Sequence, residues 1–160
     1  MKNLFFNILI LFLSAVLLSS CEEKTSDPPT QKTPEELATE DLTGGSSQAW
    51  TVAGGGSVIR DGGSETNIYQ TFEIIFAANE TSRTYQTFNN NSLFEGSGNW
   101  VFAGSSIDKI ILSGSAPASG QEISFTRTGN DLRLQFSIPM PSSSTGAVAG
   151  NYVFNLKRKQ

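Results

Sequence analysis

The chain has 160 residues, a formal net charge of -4, a single cysteine and no histidine. The negative charge opposes nucleic-acid binding, because that affinity depends on Lys and Arg neutralising phosphates. One cysteine forms no internal disulfide, and the absence of histidine excludes Ser-His catalysis and leaves no ligand set suited to zinc or copper.

Residues 1–20 have the pattern of a secretory leader. Lys2 precedes an apolar run from Leu4 to Leu18, which is shorter than the roughly 20 apolar residues that span a bilayer. The run ends in Leu18-Ser19-Ser20-Cys21, which resembles a bacterial lipobox. We therefore predict cleavage before Cys21 and a diacylglycerol thioether on its sulfur, followed by acylation of the new N-terminus. A retained anchor and an ordinary cleavage with an incidental cysteine are the alternatives.

Residues 21–41 are rich in Glu, Lys, Thr, Asp and Pro, and too polar to build a core. We interpret them as a tether between a membrane anchor and a folded domain. Glu22-Glu23 resembles the acidic signal that directs some lipoproteins to the outer face of the outer membrane, although it also suits a merely soluble tether. The expected location is the outer membrane, with display at the cell surface as a further hypothesis. The covalent lipid is the only non-protein group expected, and no cofactor is predicted.

A short helix is predicted at the end of the tether. Thr33 is a good N-cap, Pro34 suits the first helical position, and Glu35 and Glu36 suit the first turn. The helix is expected from Pro34 to Leu42, ended by Gly44-Gly45.

Residues 42–160 alternate apolar and polar residues between turn clusters, which predicts an antiparallel all-β domain. Sequential strands with short turns favour a meander, which removes its exposed edges by closing into a barrel. About eight strands are expected if the first two are one broken strand, near 48–53, 56–60, 67–77, 83–88, 98–103, 107–113, 121–128, 131–138 and 150–158.

One hairpin has a register that follows from counting. If Gly129-Asn130 is a two-residue turn, Phe125 faces Leu134 and Arg127 faces Leu132, so the apolar faces coincide. The same count places Arg127 inward at the end of the hairpin. It would either meet an anionic ligand or extend its charged end to solvent.

The glycine runs Gly54-Gly55-Gly56 and Gly62-Gly63 lack the Gly-Lys-Ser/Thr ending of a phosphate-binding loop. They predict a kink and a turn in a strongly curved sheet.

Five acidic residues of the domain are candidates for a catalytic acid and base: Glu73, Glu95, Asp108, Glu122 and Asp131. Solvated charge is the better interpretation of each. Glu73 and Glu122 have outward strand parity, and Asp131 lies in a turn. We expect no enzymatic activity and no metal site.

The order of several motifs resembles a known family. The motifs are Leu42-Thr43-Gly44-Gly45 leading to Trp50, Phe72 to Phe76, Tyr85, Gly96 to Phe102, Leu132 to Phe136, and Gly150 to Leu156, and they cover most of residues 42–158. This arrangement is similar to the lipocalin-like domains of small Bacteroidota-type outer-membrane lipoproteins. The resemblance implies a lipocalin-like meander barrel of about eight strands that binds a small molecule.

Lipocalins carry a Gly-x-Trp in the first strand and a late arginine that packs on that tryptophan. Here Gln48 takes the place of the glycine before Trp50, which departs from the pattern. Arg158 has the inward parity of the last strand and is the expected partner of Trp50.

Two functions remain open. In the first, the barrel binds a small apolar or amphipathic ligand between inward-facing side chains. The candidate lining residues are Trp50, Phe72, Phe76, Trp100, Phe102, Phe125, Arg127, Phe136, Tyr152 and Phe154. In the second, these aromatics fill the interior and the outer surface docks another envelope protein, since an eight-stranded barrel is wide enough only for side chains or one small ligand.

Overall fold

The structure is a computed structural model that describes residues 31–140 and 148–160. The predicted leader, Cys21 and the tether up to residue 30 lie outside the described residues. Helix α1 spans Pro34–Thr43. The strands are β1 (Ser47–Thr51), β2 (Ser57–Arg60), β3 (Gly63–Ser64), β4 (Glu73–Ala78), β5 (Arg83–Phe88), β6 (Ser97–Ala103), β7 (Ser106–Leu112), β8 (Glu122–Thr128), β9 (Asp131–Ile138) and β10 (Gly150–Arg158). In the part of the chain that is described, no helix has the length and apolarity needed to cross a membrane.

The predicted all-β barrel with a short N-terminal helix is confirmed. Eight antiparallel strands form the wall in the order β1-β4-β5-β6-β7-β8-β9-β10, and β1 pairs with β10 to close it. Closure leaves no free edge around the wall, because the first and last strands satisfy each other's backbone groups. Strands β2 and β3 extend the sheet beyond β10.

The first two strands are one broken strand laid along β10, as the sequence suggested. Thr51 of β1 pairs with Lys157, and Ser57 of β2 pairs with Asn155, so only one residue of β10 faces the whole break. Gly56 makes the break possible, because a Cβ there would lie 2.5 Å from the carbonyl oxygen of Asn155. The predicted glycine kink is therefore confirmed.

The second glycine run forms the predicted turn. Arg60 pairs with Gly63, so Asp61 and Gly62 are the two central residues of a tight hairpin. Both have positive φ, 48° and 85°, as a twisted two-residue hairpin turn requires.

The strand predicted at 67–77 is only half correct. Regular pairing begins at Glu73, and the residues before it form turns, with the amide of Phe72 donating to the carbonyl of Tyr69. The reason is the broken strand. Beyond the bond from the amide of Val52 to the carbonyl of Phe72, β1 has left the wall, so residues 67–71 have no neighbouring strand among the described residues to pair with. The segment instead turns inward and buries Tyr69 and Phe72.

The predicted hairpin register and helix caps are confirmed. Phe125 pairs with Leu134, and Arg127 pairs with Leu132. Thr33 and Glu36 form a reciprocal capping box, and Gly44 ends α1 in the left-handed conformation.

The barrel has two ends, which differ in what covers them. The end bearing α1 and the turns at 79–82, 104–105 and 129–130 is called the helix end. The opposite end, bearing the connections 65–72, 89–96 and 113–121, is called the loop end. The last residues of β10 return to the helix end, where the amide of Lys159 donates to the carbonyl of Ala49.

Candidate functional site

The candidate lining residues face the barrel interior. Phe102 and Arg127 are half-buried near the helix end, and the other candidates are buried. Those buried candidates are Trp50, Phe72, Phe76, Trp100, Phe125, Phe136, Tyr152 and Phe154. Except for Phe72, which lies in the turn before β4, their interior position follows from the strand alternation. A role in ligand binding remains a prediction.

At the loop end, aromatic rings pack against one another. Phe154 is central, with ring centroids 5.1 Å from Phe72 and 6.0 Å from Phe136. Tyr69 and Phe94 complete the cluster at 5.1 Å and 5.6 Å from Phe154. These separations are those of rings in direct contact, so the rings themselves occupy this part of the interior.

Tyr69 and Phe94 were absent from the predicted interior set. Both lie on connections without strand alternation, so periodicity gave no signal. Phe94 follows the Asn-rich turn, where Asn89, Asn91 and Ser92 all have positive φ and bring the chain back over the barrel mouth. The combination of an Asn-rich turn with an adjacent Leu93-Phe94 pair was the available clue.

A polar group borders this cluster. The Arg60 guanidinium lies 5.6 Å from the Tyr152 ring centroid, and it also donates to the carbonyl of Ala149 and to Glu65. Tyr152 donates its hydroxyl to the carbonyl of Val148, and burial raises the pKa of Tyr152 to about 12. This tyrosine is a neutral donor at physiological pH and is not suited to act as a base.

Glu95 joins two connections of the loop end. Its carboxylate accepts the amides of Ser115 and Ala116 and the hydroxyl of Ser115, at 2.8–2.9 Å. These donors, first the Ser115 amide, lower the pKa of Glu95 from its ordinary value. Glu95 is thus a structural acceptor, because its Oε1 atom alone accepts all three hydrogen bonds.

At the helix end, Arg127 joins the barrel to α1. Its guanidinium lies 5.9 Å from the Trp50 ring centroid and donates to the carbonyls of Gly129 and Glu40. It also lies 3.7 Å from the Asp41 carboxylate. The cation that covers Trp50 is therefore Arg127.

The predicted packing of the Arg158 side chain on the Trp50 ring is wrong, although the backbones of the two residues pair between β1 and β10. Arg158 donates from Nε to the side-chain oxygen of Gln48, and the residue is exposed at the end of β10. Since Gln48 stands where the family pattern has glycine, its side chain offers Arg158 an acceptor. Arg127 approaches Trp50 from β8 instead.

Arg83 holds the other end of the helix and was not among the predicted residues. Its guanidinium lies 4.9 Å from the Phe102 centroid and 5.3 Å from that of Trp100, and it pairs with Glu35 in the first turn of α1. The two inward arginines thus cover aromatic rings and bind the helix at its two ends.

The helix also contributes apolar contacts. Leu42 is fully buried, and Ala38 is nearly so. The Trp50 indole donates to the carbonyl of Leu42 at 2.7 Å, which fixes the C-terminal turn of α1 over the barrel. With the arginines, these contacts close the helix end.

Of the other four candidate carboxylates, Asp108 lies on β7 beside α1, and the remaining three each form an ion pair with a different lysine. Glu73 pairs with Lys159, Glu122 with Lys109 and Asp131 with Lys157, so a separate lysine neutralises each carboxylate. Across residues 31–140 and 148–160, no three acidic, histidine or cysteine side chains are grouped to hold a metal.

Two concavities lie on the outer surface of the barrel, beside α1. One of about 460 Å³ runs between α1 and strands β7 and β8, with Leu37 and Ile107 exposed along it. Another of about 500 Å³ lies between α1 and the turn after β4, and its lining is mainly charged and polar.

Comparison of the chain with family models, with curated proteins and with solved structures finds no match.

Proposed function

We propose that this chain is a lipid-anchored envelope protein that acts without catalysis, by docking another protein on the outer surface of its barrel. The observation that supports this proposal best is the packed interior. The rings at the loop end contact one another, and α1 covers the opposite end. A barrel filled by its own side chains serves as a rigid scaffold for an outer surface.

Binding of a small apolar ligand inside the barrel is the second candidate, favoured by the aromatic character of the inward face. Ligand pockets commonly need a few hundred Å³ of concave space. Here the ligand would have to displace packed rings such as Phe94 or lift α1 away from Trp50. Each displacement exposes apolar surface or breaks hydrogen bonds, so the outer surface is the better candidate.

The anchor belongs to the proposal through Cys21. The resemblance of residues 18–21 to a lipobox and the polar tether that follows support attachment to the outer membrane. A membrane-bound barrel meets its partners at a raised effective concentration, because both are confined near one surface. Docking of modest affinity then suffices.

Native mass spectrometry of the protein extracted from its own membrane tests the function. A stoichiometric protein partner, bound to a chain whose mass shows an acylated Cys21, is the expected result. A co-purifying small molecule released on unfolding, without a protein partner, would support the internal ligand instead.

The anchor is tested separately with Cys21→Ser. We expect this variant to leave the membrane fraction, because the thioether cannot form. Membrane retention equal to that of the parent chain would contradict the lipid anchor.

A further inference from the structure

A groove beside α1 has the features of a docking site for a segment of a partner protein. This groove, here called the α1–β7 groove, is bounded by Pro34 and Leu37 of α1, Ile107 of β7 and Phe125 of β8. Leu37 is 51% exposed and Ile107 is 40% exposed, although both are large aliphatic side chains. The two residues come from different elements and share one concave apolar surface.

Exposure of Leu37 is unusual for its position. The helix that carries it has four acidic residues, and a polar residue at 37 would serve its solvent-facing side equally well. The apolar surface of α1 that packs on the barrel is supplied by Ala38 and Leu42. Leu37 is therefore free to contact another molecule without loosening the helix.

Charge at the groove is acidic on balance. Asp41 and Asp108 line it, and Arg127, the one cation in the lining, lies 3.7 Å from the Asp41 carboxylate and donates to the carbonyls of Glu40 and Gly129. Asp108 is therefore the carboxylate of the lining that is left for an incoming cation. An incoming segment thus meets an apolar floor with carboxylates beside it. Its complement is an apolar side chain flanked by Lys or Arg.

The shape and charge of the groove oppose a lipid bilayer as the occupant. A bilayer presents a broad surface, whereas the groove is a concavity of about 460 Å³ that fits protruding side chains. The carboxylates at its rim would also be repelled by anionic headgroups. Both features favour a protein segment.

We infer that the α1–β7 groove binds a segment of a partner protein in which an aliphatic side chain is flanked by basic residues. This inference rests on the proposed docking function and deepens it by naming the surface and the chemistry of the partner. The segment would insert its aliphatic side chain between Leu37 and Ile107 and direct a cation to Asp108.

The test uses the full chain anchored in nanodiscs of zwitterionic lipid. Its probes are short fluorescein-labelled peptides with a leucine flanked by lysines, the same peptide with glutamates for lysines, and one with serine for leucine. Fluorescence anisotropy should show several-fold tighter binding of the lysine-flanked peptide than of either control. Leu37→Ser should weaken its binding roughly tenfold, as expected for losing one buried aliphatic contact without a change of charge.

Matched variants make the result specific. Asp108→Lys should reverse the preference, so that the glutamate-flanked peptide binds better. Val101→Ser makes an equivalent apolar-to-polar change at a residue of β6 that is 54% exposed, away from the groove, and should change nothing. Circular dichroism checks that each variant is folded, and Ile107→Ser provides a second groove variant. Equal binding of the three peptides, or equal effects of Leu37→Ser and Val101→Ser, would overturn the inference.

A photo-reactive residue placed at position 37, with position 101 as the control, separates the occupants in cells. Crosslinking at 37 to a segment with basic residues beside an aliphatic one, lost in Asp108→Lys, is the expected result. Lipid adducts at 37 would assign the groove to the bilayer and overturn the inference. A partner crosslinked only at 101 would contradict binding at the groove but support the docking function. Discrimination among the peptides without any partner in native mass spectrometry would contradict the docking function but support binding at the groove.

Discussion

The two ends of the barrel are closed by different chemistry. At the loop end, connections insert aromatic rings into the interior, where Phe94 contacts Phe72, Phe136 and Phe154. At the helix end, α1 is held by two arginines that reach outward from the barrel to carboxyl and carbonyl oxygens. The first closure is an extension of the hydrophobic core, and the second is a docked element with partly exposed ionic contacts.

This difference indicates which end of the barrel is rigid and which end can open locally. Removing a ring from the core leaves a cavity and costs several kcal/mol, whereas partly exposed ion pairs contribute about 1 kcal/mol or less each. We therefore expect the loop end to unfold only with the whole domain. The helix end should open locally at a lower free-energy cost.

The largest expected effect comes from removing a ring at the loop end. Phe94→Ala should lower the free energy of unfolding by roughly 3–5 kcal/mol, since its ring contacts three others and leaves a cavity. Urea denaturation followed by tryptophan fluorescence measures this change. Phe88→Ala is the control, because Phe88 is half exposed on β5 and its loss should cost less than about 1 kcal/mol. Similar losses in the two variants would show that the loop-end rings are not core.

An intermediate effect is expected at the helix end. Arg127→Met keeps an apolar stem but removes the contacts to Trp50, Asp41 and the carbonyl of Glu40. We expect a loss of about 1 kcal/mol in global stability, with a larger proportional rise in hydrogen exchange of the amides in α1. Arg133→Met, on the outer face of β9, should leave that exchange unchanged. If α1 exchanges at the parental rate in Arg127→Met, the arginine does not hold the helix.

The smallest effect concerns pH. The folded pKa of Glu95 is lowered by the Ser115 and Ala116 donors, so its stabilising contribution is complete above its ordinary value of 4.5. The contribution is lost as the pH falls through the lowered folded pKa. Glu95→Gln should therefore flatten the fall in stability as the pH drops below 4.5. A pH slope identical to that of the parent chain would contradict this role.

Much of the wall was predictable because it follows from local alternation. The Phe125 and Leu134 pairing needed only a two-residue turn and a count, and the caps of α1 needed only Thr33, Glu36 and Gly44. Those features depend on neighbours in sequence. They require no knowledge of the remaining fold.

What could not be predicted depends on contacts distant in sequence. Tyr69 enters the core because the break between β1 and β2 leaves a gap in the wall, which no pattern around residue 69 reveals. That Arg127, and not Arg158, covers the Trp50 ring likewise depends on how β8 and β1 approach each other across the barrel end. The α1–β7 groove arises only when the helix docks, since Leu37 and Ile107 are seventy residues apart in the chain.

The pairing of β1 with β10 has a consequence for the order of folding. The backbone of Trp50 in β1 pairs with that of Arg158 in β10, so the wall stays open until β10 is available. Topologies dominated by such distant contacts fold slowly, because a long loop must close before the pairing stabilises it. For a chain exported as proposed above, this delay would be useful, because a polypeptide that cannot close its barrel before β10 is available would stay open to translocation.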